Sequence, residues 1–248
     1  MLAGSFGQIA DDYDRLRPGP PEEALDWLVP QDCATAVDLA AGTGLFTRAL
    51  RRRVTQVIAV EPDDRMRAVL AAKSPDVRAV AGRGEAIPLP DASADAVFVA
   101  SAWHWLDPGL AVPEIARVLR DGGRLAVNWT SHDHTLDWLS ELSRPVGADP
   151  GGRYGPPRQE VILPADAPFE NLASVSFTLP RILPVDDAVD WMETYSGLIT
   201  ASETERAAGR ARTRGALLRR ADADGMVEIP VRSTSWRADR LPRPASAA

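Results

Sequence analysis

The sequence predicts an α/β protein with a doubly wound, mostly parallel seven-stranded sheet and helical lid elements. Three observations predict it. Between residues 35 and 129, apolar strand-like segments alternate with helix-like ones, the pattern of a parallel sheet covered by helices on both faces. The segment "ADAVFVASA" is apolar at nearly every position, as a strand buried on both faces must be. The first strand segment also runs into a turn with two glycines, Gly42 and Gly44, where ligands back onto main chain in open α/β sheets.

The elements follow in order. "ADDYDRLRPGP" ends in a turn, and "PEEALDWLV" reads as a helix with Pro21 near its first position and Glu22 and Glu23 in its first turn. Residues 1–34 therefore form a helical preface, or lid. Next come strand "TAVDLA", helix "GLFTRALRRRV", strand "QVIAVEP" and helix "DDRMRAVLAAK", which opens on an Asp pair. "VRAVAG" and "ADAVFVASA" are the third and fourth strands. "LAVPEIARVLR" is a helix stopped by "DGG", and "RLAVNWT" is the fifth strand. Beyond Trp129 the period breaks. "HTLDWLSELSRPV" is helical in pattern, and 145–168 is rich in Gly and Pro without a clear element. "LASVSFTLPRIL" is strand-like, 186–196 and 202–220 are helical, and "GMVEIPVRSTSWRAD" is the last strand. The main domain thus spans 35–240, with an acceptor-side insert at about 145–220, and the tail 241–248 is expected to be disordered.

Composition bounds the function. The chain has 248 residues, ample for a sizeable core. Hydrophobic residues at 45% and charged ones at 25% are ordinary for a soluble globular protein. No apolar run approaches the roughly 20 residues of a membrane span, and no membrane partner is expected. The stretch "MLAGSFGQIADDYDRLRPG" carries acids early and does not read as a cleavable leader, so a cytoplasmic location is expected. Cys33 is the single cysteine, which excludes a disulfide framework and a thiolate cluster. The net charge of −7 argues against a nucleic-acid partner. The Arg-rich stretches at 48–53 and 206–220 lack the interleaved aromatics that would stack on bases, and read as solvated helix faces. A monomer or homodimer acting on a small molecule is expected.

Glu61 stands at the end of the second strand, about 20 residues beyond the glycine turn, where a carboxylate can accept both hydroxyls of a ribose. That geometry serves a nicotinamide dinucleotide and S-adenosylmethionine alike. The dinucleotide motif requires a third glycine for close helix approach to a pyrophosphate, and this chain has Thr47 there. It also has no Tyr-x-x-x-Lys acid–base pair.

The segments "VDLAAGTG", "VIAVEP", "GEAIPLPDASAD", "VASAWHWLD" and "VLRDGGRLAV" resemble motifs of the class I S-adenosylmethionine-dependent methyltransferases. Within them the chain is similar to the small-molecule branch that includes trans-aconitate methyltransferase. The resemblance is specific from about Phe6 to Trp138 and loose beyond. It implies S-adenosylmethionine as cofactor and S-adenosylhomocysteine as product. It implies that Asp38, Ala40, Gly42 and Gly44 line the methionine moiety and that Glu61, Pro62 and Met66 surround ribose and adenine. Glu85 and Ala86 would lie by the adenine, and Ala102 would begin the segment beneath the sulfonium. Tyr13 and Arg17, in "YDRLRP", match preface residues that close over the cofactor carboxylate. The chain departs from its relatives at Arg83, where many have Asp or Thr, and at His132, where the branch commonly has Arg.

Methyl transfer from a sulfonium is an in-line displacement. The protein must align the reacting atoms and exclude water. A carboxylate acceptor needs only positioning cations, whereas a hydroxyl gains from a base with a pKa near the working pH. The three histidines, His104, His132 and His134, all follow strands four and five, at the carboxyl ends where ligands bind in such sheets. His132 is the first candidate base, with His134 and His104 as substitutes. The expected reaction is O-methylation of a small-molecule hydroxyl, in a sugar or a phenol. The alternatives are base-free carboxylate O-methylation and a non-catalytic partner subunit with the same fold. "HDH" cannot aim three ligands at one ion from a regular strand, so no metal site is assigned. Mg²⁺-assisted hydroxyl methylation through Asp133 and a lid residue stands as a variant.

Overall fold

The computed structural model describes residues 10–140, 142, 159–195 and 202–243. The seven strands form one sheet in the order β3-β2-β1-β4-β5-β7-β6. They are β1 (Thr35–Leu39), β2 (Gln56–Val60), β3 (Arg78–Val80), β4 (Ala94–Ala100), β5 (Leu119–His132), β6 (Phe169–Pro184) and β7 (Met226–Arg240). β1 pairs in parallel with β2 and β4, β2 with β3, and β4 with β5. Strand order reverses at β1, between β2 and β4, which makes the end of β1 the switch point of the sheet.

The helices are α1 (Ala10–Leu16), α2 (Glu22–Leu28), α3 (Leu45–Leu50), α4 (Asp64–Lys73), α5 (Pro108–Val118), α6 (Asp137–Ser140), α7 (Val185–Glu193) and α8 (Glu203–Leu218). Asp63 caps α4 by accepting from the backbone of Arg65 and Met66, and Ser202 and Glu205 form a reciprocal capping box on α8. Two elements differ from the sequence reading. α3 ends at Leu50 rather than running through the arginines. β5 begins at Leu119, before "DGG", and its register with β4 shifts between Ala94 and Ala96. Gly122 takes φ +75°, and a Cβ at Gly123 would lie 2.8 Å from the Arg120 carbonyl oxygen. The glycines therefore make a bulge within the strand rather than a turn ahead of it. The rest of "HTLDWLSELSRPV" beyond Leu142, residues 145–158 of the insert, the N-terminal end of the preface and the tail from 244 lie outside the described residues.

The chain divides into two compact units: residues 1–18, 130–158 and 178–232 form one, and 19–129, 159–177 and 233–248 the other. In the latter, strand alternation builds two cores. Val37, Leu39, Val97, Val99, Leu125 and Val127 pack with Val112, Ile115 and Val118 of α5. Ala36, Val57, Ala96, Phe98 and Ala126 pack with Leu25 and Leu28 of α2 and Phe46, Ala49 and Leu50 of α3. A two-residue period thus feeds both faces of the sheet. In the other unit Leu139, Leu183, Val189, Trp191, Met192, Leu217 and Ile229 form one core.

The Arg-rich segments have local partners. Arg52 and Arg53 pair with Glu22, Arg53 also with Asp26, and Arg51 with Asp76. On α8, Arg210 meets Asp190 and Glu193 and Arg214 meets Asp186 of α7. No helix among the described residues is long and apolar enough to cross a membrane.

Candidate active site

The end of β1 brings strained main chain and two buried acids, Asp38 and Glu61, together. Ala40 and Gly42 both take φ +57° and Gly44 takes +84°. A positive φ costs an ordinary residue roughly 1–2 kcal/mol, so the strain at Ala40 needs support from its surroundings. The ends of the two strands supply it. Ala41 N–H donates to the Val60 carbonyl (3.1 Å) and Gly42 N–H to Glu61 Oε2 (2.8 Å). Glu61 Oε1 accepts from Asp63 N–H (2.8 Å), and Arg67 donates to the Glu61 carbonyl. The buried Glu61 carboxylate therefore clasps the β1 turn to the start of α4. Burial raises its pKa, and the two backbone donors oppose that rise.

Gly44 admits no side chain, because a Cβ there would lie 2.9 Å from Leu70 Cγ. Gly44→Ala is expected to destabilise the fold by about 2–4 kcal/mol, combining positive-φ strain with overpacking. Chemical denaturation would measure it, and a loss below 0.5 kcal/mol (about the scatter of a surface change) would show that the turn can rearrange. Gly42 differs, for no described residue lies within 4 Å of where its Cβ would be.

Asp38 is fully buried on β1. Its Oδ2 accepts from Thr47 Oγ1 at 2.5 Å, and its Oδ1 has no hydrogen-bond partner among the described residues. Burial above all, opposed by Thr47 and reinforced by Glu61, pushes the carboxyl up to about 7. A carboxyl raised in this way binds its proton more tightly folded than unfolded. Its ionisation therefore costs stability as pH rises from about 4 to about 7.

Gly82 to Ile87 form a tight loop with an Arg83–Ala86 bridge. A Cβ at Gly84 would sit 2.7 Å from Leu106 Cδ2. Glu85 accepts from Asp107 N–H (3.1 Å), just before α5, while Ala86 is exposed. Arg117 on α5 holds the loop from behind by donating to the Ile87 and Leu89 carbonyls, Glu114 and Asp91. After β4, Ser101 takes φ +54° and donates to the Asn128 carbonyl at 2.7 Å. Buried Ala102 then leads into the 3₁₀ turn Trp103–Trp105. Pro62 is exposed and Met66 is buried in the first turn of α4.

A methyltransferase domain family matches residues 37–127, from the middle of β1 to β5. An uncharacterized methyltransferase of Mycobacterium tuberculosis is 42% identical over 197 residues, covering 79% of each chain. This chain is an S-adenosylmethionine-dependent methyltransferase. A further uncharacterized methyltransferase-like protein, of Schizosaccharomyces pombe, is 31% identical over 214 residues, covering 82% of this chain and 81% of its own. A solved structure from Anaeromyxobacter dehalogenans, provisionally named a type II methyltransferase, shares the fold. Its TM-score is 0.60 at 22% identity, covering 92% of the methyltransferase and 99% of that chain.

The methyltransferase's own groups fit the cofactor. Asp38 Oδ1 lacks a donor that an ammonium would supply. Among the described residues the space beside Gly42 is open, and each Glu61 oxygen keeps a lone pair that a ribose hydroxyl could use. Among the described residues no group of three or more His, Cys, Asp or Glu side chains could hold a metal ion, so Mg²⁺ finds no support there.

The candidate bases fall in different surroundings. His104 is exposed, and its Nδ1 accepts from Trp129 Nε1–H at 3.4 Å. That bond places the neutral ring's proton on Nε2, as a donor. His132, the last residue of β5, is fully buried. Its ring lies 4.0 Å from that of the partly exposed His134, 4.7 Å from Tyr195 and 6.1 Å from Trp191, by centroids. Its backbone N–H donates to the Tyr195 hydroxyl. Burial first, then His134 and Arg17, hold its pKa well below 6.5. Such a histidine binds fewer protons folded than unfolded, so its contribution is intact above about pH 6.5 and stability falls as pH drops below it. His132→Gln is therefore expected to lose less melting temperature between pH 8 and pH 5 than the parent. Equal losses would assign the acid limb to other groups.

Tyr13 and Arg17 lie in the same unit as His132. Arg17 donates to Thr194 through Nε to Oγ1 (2.8 Å) and Nη2 to the carbonyl (2.9 Å), and its guanidinium stacks 3.7 Å above Tyr195 and 5.1 Å above Tyr13. Sequence reasoning missed the bond from Thr47 to Asp38, and missed Thr194 and Tyr195 altogether. Thr47 was legible as the residue replacing a glycine; the other two lie where the helical pattern carries no chemical motif.

Proposed function

We propose that the methyltransferase transfers the methyl group of S-adenosylmethionine to a hydroxyl oxygen of a small molecule, a sugar or a phenol, with His132 accepting the proton. The observation that supports this reading is a buried imidazole held neutral at the carboxyl end of β5, packed against His134 and Tyr195. A neutral imidazole is competent to accept a proton throughout the neutral range. Its low basicity means that the proton leaves the hydroxyl as the methyl moves rather than before. His134, in ring contact with His132 and partly exposed, offers the proton a way out. S-adenosylmethionine supplies the electrophilic methyl group. Asp38 and the 40–44 turn would hold its amino-acid end, Glu61, Pro62 and Met66 its ribose and adenine, Glu85 and Ala86 the adenine edge, and Ala102 the surface beneath the sulfonium.

In the same reading the preface closes over the cofactor and the protein acts in the cytoplasm on a free small molecule, with no nucleic-acid partner. The narrower likeness to trans-aconitate methyltransferase rests on the sequence segments alone. The deciding experiment follows S-adenosylhomocysteine release with phenols, sugars, carboxylic acids and amines as acceptors. An alkali-stable ether product supports hydroxyl methylation. An alkali-labile ester favours base-free carboxylate methylation instead.

A further inference from the structure

Thr47 stands where a dinucleotide motif would need its third glycine, and its hydroxyl has a task of its own there. It lies in the first turn of α3, fully buried, and donates to Asp38 Oδ2 at 2.5 Å. A hydroxyl bonded to a buried carboxylate has two consequences. It fixes which oxygen is left over, because Oδ1, buried and without a partner among the described residues, is the one an arriving donor must use. It also favours the charged form of the acid against the cost of burial.

Few other groups bear on that acid. Ala59 of β2 and Phe98 of β4 stand in register with Asp38 and bring no charge. Glu61, at the end of β2, acts on Asp38 through space and favours the protonated form. It is itself held by the N–H groups of Gly42 and Asp63, with Arg67 on its carbonyl. The Thr47 hydroxyl is the larger of the two influences that oppose burial, and the Thr47 backbone is the other.

We infer that Thr47 is a positioning residue for the cofactor: through Asp38 it presents one ionised oxygen to the ammonium of S-adenosylmethionine, and so sets the acid limit of cofactor binding. This role rests on the reading in which Asp38 holds the amino-acid end, and the experiment tests the two separately. A neutral Asp38 offers the ammonium no counter-charge. Affinity therefore falls as pH drops through the carboxyl's pKa, at about 7.

Calorimetry over about pH 5.5 to 9 would compare S-adenosylhomocysteine with 5′-methylthioadenosine, which has the nucleoside and no amino-acid end. The ratio of the two affinities cancels the contribution of Glu61, and loss of the ligand's own ammonium proton bounds the alkaline side equally in every variant. In the parent the ratio should fall by up to about tenfold per pH unit below about 7. Thr47→Val keeps the backbone N–H and loses the hydroxyl. It should raise the midpoint by about one to two pH units, the worth of a hydrogen bond to a charged group. Affinity for S-adenosylhomocysteine then drops about five- to fiftyfold at pH 7 and returns to within about twofold of the parent at pH 9. Thr47→Ser should track the parent. If the valine variant folds poorly, Thr47→Cys replaces it, since a thiol is a weaker donor and its midpoint should lie above that of the serine variant. A midpoint that moves in neither variant, or an affinity loss equal at pH 7 and pH 9, overturns the role of Thr47 and leaves Asp38 on the ammonium. The same pH dependence for both ligands in the parent removes Asp38 from the amino-acid end, and the positioning role falls with it.

Discussion

Alanine at His132 is expected to lower turnover by about 10²–10⁴-fold, the usual worth of a general base, with affinity for S-adenosylmethionine nearly unchanged. The ring is fully buried among His134, Tyr195 and Trp191, so its removal also leaves a cavity. Turnover must therefore be read beside a melting curve showing a folded variant. Partial recovery of rate with added imidazole would identify proton acceptance, which a purely structural role would not give. The pH profile adds a second reading. Because burial holds the pKa well below 6.5, the rate should be flat across the neutral range and fall only on the acid side of that value. A variant that loses acceptor affinity at unchanged turnover would make His132 a positioning residue.

Glu61→Ala is expected to weaken S-adenosylmethionine binding by about 1.5–3 kcal/mol, the range for hydrogen bonds to a charged group, or roughly ten- to a hundredfold and more. The carboxylate holds the N–H groups of Gly42 and Asp63, and in the proposed reading it also holds the ribose. Glu61→Gln separates the two tasks. Its amide oxygen can keep one of the two backbone bonds, whereas its NH₂ cannot accept the other. The glutamine variant should therefore fall between parent and alanine in affinity. Unchanged affinity in a folded alanine variant, by calorimetry, would remove Glu61 from the cofactor site.

Most of the sheet was legible because strand burial leaves a two-residue period that side-chain types report. Val37, Leu39, Val97 and Val99 go to one core and Ala36, Ala96 and Phe98 to the other. The turn at Gly42 and Gly44 was legible as bare main chain against which a ligand can lie, and the structure adds that both glycines take a positive φ. The bulge in β5 was not legible, since Asp-Gly-Gly reads equally as a stop between elements, and only pairing with β4 shows which it is. Ala40 and Ser101 were invisible as strained positions, because nothing in an alanine or a serine announces φ above +50°. The surroundings of His132 depend on Tyr195 and Trp191, some sixty residues away in sequence, and no periodicity carries that pairing.

Arg117 gives the loop before β4 an unusual kind of heredity. Its guanidinium reaches the carbonyls of Ile87 and Leu89 and the side chains of Glu114 and Asp91. Carbonyl oxygens are common to every residue type, so a loop gripped by its carbonyls holds its path whatever side chains it bears. A substitution at exposed Pro90 should then leave the path of the segment that contains Glu85 and Ala86 in place. The shape of one stretch is thus written in the residues of another, Glu114 and Arg117 of α5.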